Sequence, residues 1–166
     1  MDFVIKLREH VIDMFPFLRP KLDSAVTPRT LKRNPFLDLR MHEIRTDSDR
    51  NYLYITLSGV IDAEDAQAIN KEVLAALEHL EDGFHVINDM SQADCGYISC
   101  LPLFQEVMTA LSTHHVGRVI RIVSDSVFQC QVNAASQQFA RYTIEEATSV
   151  KEAEALLAAT VASDPT

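Results

Sequence analysis

At 166 residues the chain has the size of one domain with a full core, and its 47% hydrophobic and 23% charged residues exclude wholesale disorder. No run approaches the roughly 20 apolar residues of a membrane span, so none is expected. The formal net charge of −9 argues against nucleic acid as a partner, because phosphate binding rests on clustered Lys and Arg.

Residues 2–15 place Val4, Leu7, Val11 and Met14 at helical spacing, which predicts an amphipathic helix ended by Pro16. Asp2, Lys6, Arg8, Glu9 and Asp13 interrupt its apolar residues, so it does not read as a secretory signal. Pro20, Pro28 and Pro35 then mark a basic linker, with room for one helical turn after Thr27-Pro28. Residues 1–38 are thus expected to form an arm, and residues 39–162 the compact domain. Residues 1–40 carry a charge balance of +3 against −12 for the remainder. Three seats fit this basic arm: the acidic body, a neighbouring subunit, or an anionic partner. A homodimer formed through the arm is the expected assembly.

In the compact domain Met41 to Arg45 and Tyr52 to Leu57 alternate as strands do, and the polar stretch between them predicts a hairpin. Leu53, Ile55 and Leu57 should face a core, with Tyr52, Tyr54 and Thr56 facing the other way. Gly59 follows, and Asp62 stands as a helix N-cap with Glu64 and Asp65 in the favourable first turn. Ala66, Ile69, Val73, Leu77 and Leu80 make the stripe of that helix, and Gly83 ends it. Phe84 to Ile87 predicts a buried strand, and Met90 to Ile98 a loop. A second helix carries Leu101, Phe104, Met108 and Leu111. Gly117 precedes a strand from Arg118 to Val123. Asp125 is placed to cap a third helix bearing Phe128, Val132, Ala135 and Phe139. Tyr142 to Glu146 is the last strand. Ser149 with Glu152 reads as a capping box opening a final helix, and the tail from Ser163 should fray. This order predicts an α/β fold: a mixed, mostly parallel sheet of about five strands covered by helices.

Cys95, Cys100 and Cys130 are odd in number and too few for a disulfide framework, which points to a reducing cytoplasm. Asp89, Asp94, Cys95, Ser99 and Cys100 are expected at the carboxyl end of a central strand, where open α/β sheets seat ligands. Cys100 has two readings, a thiol activated by a helix N-terminus or a buried structural thiol. His114 and His115 are adjacent, so on a helix they point about 100° apart and miss the metal-binding spacing. They read as C-terminal caps. The sequence holds no Gly-rich phosphate loop, nucleophile elbow or His-Glu-x-x-His, and no catalytic apparatus, metal or cofactor is expected. Tyr97, Phe104, Phe128 and Phe139 read either as core or as the lining of an apolar pocket.

Two segments carry a family resemblance. Leu57-Ser58-Gly59-Val60-Ile61-Asp62-Ala63 resembles the strand-glycine-helix entry of the STAS domain superfamily. Val86-Ile87-Asn88-Asp89-Met90-Ser91 is similar to the strand and turn that follow it there. Roughly residues 41–160 resemble the SpoIIAA-like branch, which borders the Sec14-like fold. The resemblance implies a regulatory module of the anti-sigma-factor-antagonist type, not an enzyme, that binds a protein partner such as a kinase or a sigma-regulator-like protein. In that family a loop serine is phosphorylated, and its position falls on Ser99. Tyr97, Ile98 and Cys100 stand where the family carries aspartate, serine or threonine, and glycine. Ser99 therefore has two readings, a switch whose phosphate would meet a helix N-terminus, or a plain helix cap. Asp89, Ser91, Asp94, Tyr97, Ser99, Cys100 and Phe104 form the expected ligand or partner site. The alternative function is a carrier or sensor of a lipid-like or other apolar small ligand, as among Sec14-like relatives.

Overall fold

A computed structural model describes residues 41–123 and 126–161. The predicted arm, the tail and the expected cap Asp125 lie outside them. The hairpin forms as β1 (His42–Asp47) and β2 (Tyr52–Ile61), antiparallel, with Ile44 opposite Ile55. Helix α1 (Ala63–Leu77) follows, then β3 (His85–Gly96), a 3-10 turn (Ile98–Cys100) and α2 (Leu101–Thr113). Strand β4 (Arg118–Ile122), α3 (Val127–Phe139), β5 (Thr143–Ala147) and α4 (Val150–Val161) complete the described chain. The sheet runs in the order β1-β2-β3-β4-β5, parallel from β2 onward. The predicted mixed, mostly parallel α/β architecture is the one observed.

The two faces of the sheet are buried differently. Leu53, Ile55, Leu57, Val86, Met90 and Val119 share one core with the stripes of α1, α2 and α3. On the other face Tyr52, Tyr54, Ile87, Ile120 and Ile122 pack with Ala153 and Leu157 of α4. The expected alternation along β2 holds, and the period of two explains why both faces are served by one strand. Tyr52 and Tyr54 are buried because α4 lies over them, whereas Thr56 is exposed.

Local chemistry sets the joints. Asp62 caps α1 by accepting from the N–H groups of Glu64 and Asp65, both at 2.9 Å, and Asp65 returns the bond to the Asp62 N–H. Helix α1 ends at Leu77, earlier than the stripe through Leu80 suggests, and Gly83 sits in the left-handed region (φ 83°) beyond it. At the end of α2, His115 is left-handed (φ 53°), its N–H bonds Ser112 O and the Val116 N–H bonds Leu111 O. That is the Schellman pattern of a helix C-terminus, closed here by histidine instead of glycine. Ser126 caps α3, accepting from the Gln129 N–H at 3.2 Å.

The expected loop is corrected as well. Residues 90–96 are strand, not loop: β3 continues to Gly96 along the extended end of β2. Thr56 pairs with Asp89 but Ser58 with Gln92, and Gly59 pairs with Ala93 but Val60 with Cys95. Two bulges in β3 therefore break the simple alternation while the pairing persists.

Candidate functional site

Extending β3 splits the expected site in two. Asp89 pairs with Ile122 in mid-sheet, and six residues of strand, about 20 Å at the usual rise, separate it from Gly96. Its carboxylate accepts from the Ser91 N–H at 2.9 Å, closing a local turn at the first bulge. Asp94 is exposed at the second bulge, beside half-buried Cys95. Burial, with the Asp94 charge adding to it, pushes the Cys95 thiol above its ordinary pKa.

The carboxyl end of β3 presents the second half. Tyr97 is 55% exposed although its N–H is fixed to Ile61 O at 3.1 Å. Ser99 is exposed on the 3-10 turn, and Cys100, not Ser99, occupies the cap position of α2 without making a side-chain cap bond. Cys100 itself is wholly buried, and its thiol reaches Ile61 O at 3.5 Å. Burial raises its pKa, the opposite of what an activated nucleophile needs. Phe104 is also interior and meets Phe128 edge to face, ring centroids 5.5 Å apart. Phe139 packs against the edge of the same core. Of the four aromatic residues read as core or pocket lining, Phe104 and Phe128 lie in the core, Phe139 packs against it and Tyr97 faces solvent.

Thus Tyr97 and Ser99 form a surface, with Cys100 and Phe104 beneath it and Asp89 and Ser91 well up the strand. Sequence reading missed two further members. Val60, 40% exposed, pairs with Cys95 next to the Tyr97 turn; its even position along β2 was the available signal. Gln131 of α3 bonds Gly96 through both ends of its carboxamide, and nothing local in the sequence announces that. An open groove of about 500 Å³ runs along α2 from Pro102 to His114, away from the space between sheet and helices.

Among the described residues no group of three or more His, Cys, Asp or Glu side chains is placed to hold a metal, and no helix is long and apolar enough to cross a membrane. Arg118 forms a two-point ion pair with Glu145 at 2.8 and 2.7 Å, which holds the Glu145 carboxyl below the usual range.

The sequence matches no protein-family model and no curated protein. Solved structures do match. A DUF3478-family protein with a SpoIIAA-like fold from Shewanella loihica PV-4 shares 15% identity over 70% of this chain and 91% of its own, with a TM-score of 0.55. The Bacillus cell fate determinant SpoIIAA in its phosphorylated form shares 13% identity over 70% of this chain and 98% of its own, with a TM-score of 0.50. At such identities the likeness speaks for backbone architecture. The described part of this chain has a SpoIIAA-like fold.

Proposed function

We propose that this domain is a non-enzymatic regulatory module whose Tyr97–Ser99 surface is read by a protein partner. The observation that carries the reading is the exposure of Tyr97 on a backbone fixed to Ile61. A large aromatic side chain on a fixed backbone has few torsions left to order on binding, and such residues anchor protein interfaces. Val60 enlarges the apolar centre and Asp94 supplies an acidic rim, which suits a partner with basic side chains around an apolar pocket. Ser99 lies two residues on, open to a kinase. Its phosphate would stand just ahead of α2, where free N–H groups and the helix dipole favour negative charge. A phosphorylated SpoIIAA shares the fold, which lends the switch reading support.

The carrier reading is weakened by the packing. The space between the sheet and α2 and α3 beside the site holds the Phe104 and Phe128 rings, and a Cβ on Gly96 would already lie 3.2 Å from Phe128. The buried Cys100 thiol speaks for a module without its own chemistry. Self-association through residues 1–38 belongs to the same proposal. Native mass spectrometry of the full chain tests these points together. The expected spectrum is a dimer with no retained ligand. An excess of a few hundred daltons per subunit, lost on denaturation, would replace the module by the carrier; a bare monomer would remove the arm from the account.

A further inference from the structure

Strand β4 accompanies β3 only as far as Asp89, which pairs with Ile122. Gly96, seven residues further on, has β2 on one side, where it pairs with Ile61. The bond to Ile61 O there comes from the next residue, Tyr97, so the N–H and C=O of Gly96 turn to the side on which β4 would run. On that side stands Gln131 of α3. Its Oε1 accepts from the Gly96 N–H at 3.0 Å, and its Nε2 donates to Gly96 O at 3.0 Å. A side-chain carboxamide thus makes both bonds of a strand neighbour. Glycine suits the position, because the Phe128 ring packs directly against it.

We infer that Gln131 is the positioning residue of the Tyr97–Ser99 surface: its carboxamide replaces a strand neighbour at Gly96 and ties that surface to α3. The use of the surface rests on the partner reading above; the clamp itself does not. Ile61 O holds the following turn from the other side, through the Tyr97 N–H and the Cys100 thiol. Helix α3 is a firm anchor for the clamp. Arg121, buried in β4, bonds Asn133 Oδ1 at 3.1 Å and Ser136 Oγ at 2.6 Å on the same helix. A shift of α3 along the sheet therefore moves the residue that precedes Tyr97.

The substitution Gln131→Met keeps the length of the side chain and removes both bonds. Its Gly96 amide is expected to exchange with solvent at least about tenfold faster than in the wild type. Chymotrypsin should also cut faster after Tyr97, while the amides of Leu53, Val73 and Val86 keep their protection. Unchanged exchange at Gly96 overturns the inference, and so does an equal loss of protection across the whole sheet, which would make Gln131 a general stabiliser. If Gln131→Met does not fold, the wild type decides by NMR. Slow exchange of the Gln131 side-chain amide, with a cross-peak to the Gly96 N–H, upholds the clamp; a freely exchanging carboxamide overturns it. None of these readouts involves a partner. Failure of the partner reading would leave Gly96 protection as found.

Discussion

His85 faces a constraint that its neighbours make plain. Its Nδ1 accepts the Arg118 N–H at 3.1 Å, so that nitrogen must be unprotonated, and the Tyr52 ring stands edge-on 5.7 Å away. Burial, reinforced by the Arg118 charge, holds its pKa below the ordinary value. The unfolded chain then takes up the proton first. The contribution of His85 is complete above about pH 6.5 and is lost as pH falls through the lower folded value. Urea unfolding at about pH 7.5 and 5.5 should show the wild type weaker in acid and His85→Gln less affected, and equal losses would contradict this. His115 gives a second expectation, because its left-handed backbone strains any side chain with a Cβ. His115→Gly should stabilise the domain by about 0.5–1 kcal/mol in the same assay. Residues whose role is local were legible: Asp62 read as a cap, and His114 and His115 as a helix end.

At the scale of elements, the apolar stripes of α1, α2 and α3 and the alternation of β2 were legible because each repeats a period over several turns or pleats. The second half of β3 was not. Ser91, Gln92 and Asp94 are polar and two bulges break the alternation, so its pairing with β2 is a tertiary fact. The cap of α4 was nearly right. The Glu152 N–H bonds Ser149 Oγ at 3.2 Å as a capping box requires, but the Glu152 carboxylate reaches the N–H of Thr148, one residue earlier, at 2.8 Å. The layers also separate stability from recognition. Phe128 is fully buried, and Phe128→Ala should cost about 3–5 kcal/mol in chemical denaturation. Tyr97→Ala, at an exposed site, should cost less than about 1 kcal/mol. A large destabilisation by Tyr97→Ala would mean that the ring serves the fold, and would remove it as an interface anchor.

Across the whole molecule, the sheet divides the described chain into a three-helix face and a face covered by α4. The carboxyl end of β3 emerges at the edge of that layering with Tyr97 and Ser99 outward. The two segments that resemble the STAS superfamily cover the end of β2 and the first half of β3, which is why the fold was legible. The site was only partly so. Its expected members were gathered by nearness in sequence, and a longer strand carries Asp89 and Ser91 away from Tyr97 while the core takes in Cys100 and Phe104. Photo-crosslinking in cells of the source organism shows directly whether a protein partner seats on this edge. Tyr97→p-benzoylphenylalanine puts the crosslinker in nearly the same shape, and Val150, 39% exposed at the start of α4, is the control position. A discrete protein adduct is expected from position 97 and not from position 150. No adduct, the same adducts from both positions, or an added mass of only a few hundred daltons would contradict it.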